Sequence, residues 1–285
     1  MTPPPTCGFV YVATGAGYLE EARRSAVSLR VHNPAVPICL VTDRAEAQSS
    51  YFDDIVVCTD AEHKPIDKLL CARCPYERFV FLDTDTRVYG DLTPIFQVLD
   101  QFDLAAHQDV SRGWDYTLPG VPDAFSEFNT GVLAFKRNDG VEAFLTQWRR
   151  DHDRFSQSMG FVNDQPAFRH ALFHSQLRVA PLPSEFHLIG NLPNYLMWKV
   201  RLIHGRGDSD SMQRDLDAVL GPRAYVPEVG VIPCFHGRRS WSAITVRTVV
   251  RMTRLLIRRP PDNNQLHPTK WWSLERRASE EDPRR

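Results

Sequence analysis

Short apolar runs alternate with segments of helical periodicity along most of the chain. The runs predict buried strands, and the segments between them have apolar residues three or four positions apart, which predicts helices. The predicted strands are 9–13, 37–42, 55–58, 78–82, 104–107, 132–135 and 200–203; the predicted helices are 18–32, 66–74, 92–99, 141–151 and 165–172. Segment 181–193 is rich in proline and polar residues, which predicts a loop. This order predicts an α/β fold with a mixed, mostly parallel sheet and helices on both faces.

The pattern changes after residue 240. Residues 241–259 have arginines at helical spacing and apolar residues towards the other side, which predicts a basic amphipathic helix. This helix either packs on the preceding domain with its arginines in solvent or lies on an anionic membrane surface. Residues 260–285 are polar and charged, so we expect a disordered tail. This change separates residues 1–240 from the predicted basic helix and tail, and length by itself leaves the number of domains open.

Composition and charge narrow the classes of partner. The 285 residues are 42% hydrophobic and 24% charged, as in soluble globular proteins. The formal net charge is -1, but residues 241–285 hold ten basic and five acidic side chains, so residues 1–240 carry about -6. An acidic body argues against a nucleic-acid partner. The basic residues 241–285 remain compatible with an anionic membrane surface as a partner.

The expected location is cytoplasmic, with attachment to the inner face of the membrane as the alternative. The N-terminus has no basic region followed by an apolar run, so it is unlike a secretory signal. No stretch reaches the roughly 20 apolar residues of a membrane span. The six cysteines are therefore expected to be thiols. The one close pair, Cys71 and Cys74, is assigned to core packing in preference to a metal site.

Two carboxylates follow the predicted strand 78–82. Asp83 and Asp85 would lie at the edge where open α/β sheets bind ligands. Because two adjacent acids repel each other, a Mg²⁺ or Mn²⁺ ion that links them to a diphosphate would stabilise them. The same tripeptide can simply cap a turn. D-x-D after a strand is also the first motif of the haloacid dehalogenase phosphatases, and Asp83 would then be the nucleophile. Arg87, however, occupies the position at which that motif has threonine or valine.

Four blocks of sequence share one order with a known family. They are Val12-Ala-Thr-Gly-Ala-Gly-Tyr18, residues 67–96 around Asp83-Thr-Asp85, residues 105–132 followed by Asn163-Asp-Gln165, and Val200-Arg-Leu-Ile-His-Gly-Arg-Gly207. Together they resemble the retaining GT-A glycosyltransferases that include glycogenin, galactinol synthase and bacterial lipopolysaccharide glycosyltransferases. The resemblance implies a GT-A catalytic domain over residues 1–240.

The resemblance also implies an activity. It is the metal-dependent transfer of a hexose from a nucleotide diphosphate sugar, usually a UDP-sugar, to a hydroxyl of a glycan or lipid-linked glycan. Retention of configuration is expected, whereas inversion would follow if Asp164 deprotonated the acceptor from the opposite face.

Individual residues receive roles by the same match. Asp83, Asp85 and His204 are the implied ligands of Mn²⁺ or Mg²⁺, and Lys68, Asn129, Asp164 and Gln165 are the implied catalytic residues. The implied donor-binding residues are Val12, Thr14, Tyr18, Thr84, Asp109, Gly131, Gly205, Arg206 and Gly207. His236 competes with His204 for the ligand role, and His204 is preferred because an apolar strand precedes it.

The chain departs from the family at two places. Phe161 replaces an aspartate three residues before Asp164, and the K-P-W run after His204 is missing. Arg206 is the suggested substitute for the phosphate contact of that run. These differences keep open a non-catalytic module that binds a nucleotide sugar or a glycan.

Overall fold

Strands and helices alternate through the part of the chain that the structure, a computed structural model, describes: residues 6–44, 50–109, 118–161 and 163–234. The strands are β1 (Cys7–Ala13), β2 (Ile38–Thr42), β3 (Asp54–Val57), β4 (Arg78–Leu82), β5 (Thr86–Val88), β6 (Leu104–Gln108), β7 (Phe128–Lys136), β8 (Val179–Leu182), β9 (Leu188–Ile189), β10 (Asn194–Leu196), β11 (Leu202–His204), β12 (Arg223–Val226) and β13 (Gly230–Pro233). The α-helices are α1 (Ala16–His32), α2 (Pro94–Val98), α3 (Asp139–Met159), α4 (Gln165–Phe173) and α5 (Ser209–Asp217), and 3₁₀ helices span Pro65–Arg73 and Ser184–Phe186.

The central sheet has seven strands in the order β3-β2-β1-β4-β7-β6-β8. Its neighbouring strands are parallel except for β7, which runs antiparallel to both β4 and β6. Two three-stranded sheets, β5-β11-β9 and β10-β12-β13, accompany it. The predicted mixed, mostly parallel α/β sheet is confirmed.

The sheet has a hydrophobic core on each face. Along β1, Phe9 and Tyr11 belong to the core that contains the apolar face of α1, whereas Val10 belongs to the opposite core with Trp148 of α3. This alternation follows from the two-residue period of a strand. Because both faces are covered, the strand ends are left as the place for a ligand.

The turn after β4 brings distant parts of the chain together. β4 ends at Leu82, and residues 83–85 lead directly into β5. β5 pairs antiparallel with β11, which places Thr86 opposite His204. A short strand pairing therefore sets the two carboxylates of the turn beside a histidine that lies far away in sequence.

A chain of buried hydroxyl groups supports this turn. Tyr11 Oη lies 2.8 Å from Ser25 Oγ, Ser25 Oγ lies 2.8 Å from Thr86 Oγ1, and Thr86 Oγ1 donates to the carbonyl oxygen of Asp83 at 2.8 Å. Since a hydroxyl has one proton, Thr86 must accept from Ser25, and Ser25 must accept from Tyr11. All three hydroxyl residues are fully buried. The chain thus connects β1 and α1 to the backbone of the carboxylate turn.

The prediction of a loop at 181–193 is wrong for about half of the segment. This segment contains the end of β8, a 3₁₀ helix and β9. Pro181 is accommodated because β8 is the last strand of the sheet and pairs only with β6. The predicted helix at 66–74 is a 3₁₀ helix, Pro65–Arg73.

The C-terminal predictions lie outside the described residues. They are the helix at 241–259, the tail at 260–285 and the competing ligand His236, and they stay predictions. Within the described ranges, each helix is too short or too polar to cross a membrane.

Tyr11→Phe tests the hydroxyl chain. The variant leaves Ser25 Oγ without its donor in a buried position, so we expect the free energy of unfolding to fall by about 1 to 3 kcal/mol in urea denaturation. Tyr195→Phe is the control, because Tyr195 is half exposed on β10 and its change is expected to stay within about 0.5 kcal/mol. Equal stabilities for the two variants would contradict the supporting role.

Candidate functional site

A cavity of about 420 Å³ opens at the carboxyl ends of β1 and β4. Most of the residues that the sequence analysis selected line it. They are Val12, Thr14, Tyr18, Lys68, Asp83, Thr84, Asp85, Asn129, Gly131, Asp164, Gln165, His204 and Arg206. Four separate blocks of sequence therefore meet in one place.

Asp83, Asp85 and His204 form a group that can hold a metal ion. One ligand atom from each lies within 4.8 Å of the others. His204 Nε2 lies 3.2 Å from Asp85 Oδ1 and 3.6 Å from Asp83 Oδ2. Two carboxylates and one imidazole are a donor set that suits Mn²⁺. Among the described residues, no other group of three histidine, cysteine, aspartate or glutamate side chains has this arrangement.

Gly131 leaves room for the imidazole ring of His204. A Cβ atom at Gly131 would lie 2.3 Å from His204 Cε1, closer than any contact that side chains tolerate. The backbone amide of Gly131 itself donates a hydrogen bond to Asn129 Oδ1 at 2.9 Å. The F-N-T-G run of β7 therefore makes space for the third metal ligand and orients an amide side chain of the site.

Lys68 links two carboxylates across the cavity. Its Nζ lies 3.2 Å from Asp164 Oδ2 and 3.7 Å from Asp83 Oδ2, and it donates to Thr130 Oγ1 at 3.0 Å. Burial by itself lowers the pKa of Lys68, but the charges of Asp164 and Asp83 outweigh it and hold the pKa above its ordinary value. Lys68 is therefore a permanent cation beside the metal group.

The three candidate metal ligands differ in their electrostatic surroundings. Burial raises the pKa of Asp83, and the charges of Lys68 and His204 offset it only in part. Burial also acts on Asp85, but the hydrogen bond with His204 and the charge of Arg206 bring its pKa below the ordinary value. For His204, burial is outweighed by Asp85 and Asp83, so the pKa is raised. The site is short of positive charge at Asp83, which a divalent cation would supply.

Asp164 and Gln165 are fixed by backbone contacts. The indole Nε1 of Trp148 donates to the carbonyl oxygen of Asp164 at 3.0 Å. The backbone amide of Gln165 donates to Asn163 Oδ1 at 2.8 Å, where α4 begins. The side chain of Asp164 is 4% exposed and faces Lys68. The backbone of this pair is thus held in the cavity wall by hydrogen bonds from Trp148 and to Asn163.

Asp109 acts from behind the cavity wall. It does not line the cavity, although the sequence analysis placed it with the donor-binding residues. Asn129 Nδ2 and Gln165 Nε2 both lie 3.4 Å from its Oδ2. Asp109 therefore holds two amide side chains of the site in position.

Arg206 stands at the mouth of the cavity. Its Nε and Nη2 donate to Glu21 at 2.8 and 3.1 Å, and its Nη1 lies 3.6 Å from Asp85 Oδ2. Glu21 also accepts a hydrogen bond from Thr84 Oγ1 at 2.9 Å. Gly205 and Gly207 line a smaller adjoining cavity instead of the main one. The φ of +130° at Gly205 is one that other residues rarely adopt.

The end of the cavity nearest β1 is shaped by Asp67. Its carboxylate accepts hydrogen bonds from Thr14 Oγ1 at 2.9 Å and from the backbone amides of Glu62 and His63 at 3.0 and 2.8 Å. Asp67 thereby connects β1 to the loop before Lys68.

Several residues of the site were not selected from the sequence. Glu21 binds Arg206 at the mouth of the cavity. The others line the cavity and are His63, Lys64, Pro65, Asp67, Phe81, Thr130 and Asn163. Asp67 and Asn163 adjoin selected residues, so their place in the second and third blocks was the available signal. For Glu21 and His63, the sequence contains no comparable signal.

Comparisons with known proteins identify the fold. No protein-family model and no curated protein matches the sequence. The structure is similar to that of the galactosyltransferase LgtC in complex with donor and acceptor sugar analogues, with a TM-score of 0.51 and 17% identity over 93% of this chain and 99% of that one. Mouse xyloside xylosyltransferase 1 is also similar, with a TM-score of 0.46 and 14% identity over 70% of this chain and 97% of that one. The chain therefore has the GT-A fold of glycosyltransferases.

Proposed function

We propose that the chain is a glycosyltransferase that moves a hexose from a nucleoside diphosphate sugar, with UDP as the nucleotide, to a hydroxyl of a glycan or lipid-linked glycan. One observation carries the proposal. Asp83, Asp85 and His204 lie within reach of one metal ion, and the buried ammonium group of Lys68 stands beside them in the same cavity. A diphosphate needs this concentration of positive charge when it leaves.

Asp83, Asp85 and His204 would hold the metal, for which we propose Mn²⁺. When bound, the cation supplies positive charge that stabilises the departing diphosphate. An imidazole ligand favours Mn²⁺ over Mg²⁺, which prefers carboxylate and water oxygens.

The protein's own residues do the rest of the work. Lys68 stabilises negative charge on the leaving diphosphate from a fixed position. The sugar hydroxyls form hydrogen bonds with Asn129, Asp164 and Gln165. These bonds orient the anomeric carbon. Their hydrogen bonds to Asp109 and Trp148 support this role, because prearranged groups need no reorganisation during the reaction.

The nucleotide binds at the β1 end of the cavity in this proposal. Val12 and Thr14 provide an apolar and a hydroxyl contact for the base, and the half-exposed ring of Tyr18 provides a stacking surface. Once the side chain of Arg206 moves away from Glu21, its guanidinium group contacts the diphosphate. An arginine held by a carboxylate at the mouth of the site supports this exchange.

We further propose that the reaction retains the configuration of the donor. An inverting enzyme needs a base on the face of the sugar opposite the leaving group. Asp164 lies 3.2 Å from Lys68, which in turn lies 3.7 Å from Asp83. If Lys68 and Asp83 face the leaving diphosphate, as proposed, the carboxylate of Asp164 is on the same side of the sugar. This position supports departure and attack on the same face.

The anomeric configuration of the product tests retention. With an α-linked UDP-hexose and a simple sugar acceptor, we expect an α-linked product in proton NMR spectra recorded during turnover. A β-linked product would refute retention and would place the base on the opposite face.

Asp85→Asn tests the metal-dependent binding of the donor. The variant keeps the shape of the side chain and removes its charge. We therefore expect Mn²⁺-dependent UDP binding, measured by calorimetry, to weaken by more than about tenfold. A loss of this size already follows when a residue that only hydrogen-bonds to a metal ligand is removed. Asp123→Asn is the matched control, because Asp123 is an exposed carboxylate outside the cavity.

Three outcomes separate the alternatives. Equal UDP affinity in Asp85→Asn and Asp123→Asn would contradict the proposed metal centre. UDP binding without hydrolysis or transfer of any UDP-sugar would favour the non-catalytic module. Release of phosphate from an aryl phosphate by the wild type, lost in Asp83→Asn, would favour the phosphatase in which Asp83 is the nucleophile.

A further inference from the structure

A second histidine lies directly behind the candidate metal ligand His204. His187 is fully buried between the 3₁₀ helix Ser184–Phe186 and β9. Its Nε2 lies 3.0 Å from Nδ1 of His204, and the two ring centroids are 5.1 Å apart. His187 does not line the cavity, so it cannot touch a substrate there.

The geometry of His204 decides which of its nitrogens is protonated when a metal is bound. Its Nε2 is the atom that faces Asp85 and Asp83, at 3.2 and 3.6 Å. A metal held by the three residues would therefore take the lone pair of Nε2, and Nδ1 would carry the proton. This Nδ1–H group needs an acceptor, and the atom in front of it is Nε2 of His187.

His187 can accept only if it is neutral and carries its own proton on Nδ1. Its Nε2 is the atom that faces His204, so a proton on Nδ1 leaves the lone pair of Nε2 directed at the Nδ1–H group of His204.

A third histidine has the complementary arrangement. Nδ1 of His107 lies 3.0 Å from the carbonyl oxygen of Leu182, which can only accept, so the lone pair of His107 is on Nε2. The rings of His107 and His187 are 5.6 Å apart and edge to face. His107 Nε2 and His187 Nδ1 are both buried without a hydrogen-bond partner in residues 6–44, 50–109, 118–161 and 163–234. These two atoms form no hydrogen bond with each other in the described residues, so the tautomer of His187 follows from its contact with His204 alone.

A neutral acceptor also suits the charge of the site. A carboxylate at this place would add a third negative charge behind His204, which already faces Asp83 and Asp85. An imidazole orients His204 without that cost.

We propose that His187 is a positioning residue of the metal centre: its Nε2 accepts the Nδ1–H group of His204 and so fixes the tautomer and the ring orientation that present Nε2 to the metal. The inference rests on the metal site of the proposed function and adds to it a residue outside the cavity. It makes His187 necessary for metal affinity and not for contact with the donor.

Mn²⁺ binding by the full chain without nucleotide tests the inference. His187→Phe keeps a ring and removes the acceptor, so we expect the dissociation constant for Mn²⁺, measured by calorimetry or by electron paramagnetic resonance, to rise by about 10 to 100-fold. His187→Gln keeps an acceptor oxygen and should stay within about threefold of the wild type. His152→Phe is the matched control, because His152 is also buried but lies on α3 outside the cavity, and its Mn²⁺ affinity should equal that of the wild type.

The wild type gives a readout that does not depend on whether a variant folds. In long-range ¹H–¹⁵N spectra of the chain loaded with diamagnetic Zn²⁺, we expect protons on Nδ1 of both His187 and His204. A proton on Nε2 of His187 would overturn the inference.

The failures of the two proposals can be told apart. If the wild type binds Mn²⁺ and His187→Phe binds it with the same affinity, the inference about His187 is overturned and the metal centre stands. If the wild type does not bind Mn²⁺ at millimolar concentration, both are overturned.

Discussion

The burial of two adjacent carboxylates, Asp83 and Asp85, is the constraint on which the rest of the site depends. Two carboxylates in a partly buried turn are unfavourable unless positive charge surrounds them, because interactions between charges strengthen as water is removed. The fold supplies part of that charge through Lys68 and His204, which reach the turn from a 3₁₀ helix and from β11. Burial nevertheless keeps the pKa of Asp83 above its ordinary value, and a divalent cation bound at this turn would offset that cost. The same concentration of charge would serve a diphosphate.

The charged cluster is only as well ordered as the backbone that carries it. The turn is connected to β1 and α1 through the hydroxyl chain that ends at Asp83, and β5 pairs it with the strand of His204. Gly131 supplies space for the ring of that histidine, and Trp148 fixes the backbone of Asp164 on the other side of Lys68. Apolar packing on both faces of the sheet thus sets the positions of polar groups at its edge.

Local patterns in the sequence predict the fold class, and the resemblance to a known family leads to most of the residues that line the cavity. Strand periodicity and the D-x-D tripeptide locate Asp83 and Asp85, and the order of the blocks leads to His204 and Lys68. Contacts between elements are different. Nothing near Glu21 or His187 in the sequence points to Arg206 or to His204, because these pairs form only when the sheet assembles. Proline content made 181–193 look like a loop, since the sequence does not say which strand is at the edge.

Anomalous diffraction from crystals grown with Mn²⁺ and UDP would locate the metal independently of any assay. We expect one strong manganese peak within bonding distance of a carboxylate oxygen of Asp83, a carboxylate oxygen of Asp85 and Nε2 of His204, with the UDP diphosphate next to the same peak. A manganese site elsewhere, or bound UDP with no manganese peak between these three residues, would contradict the proposed metal centre.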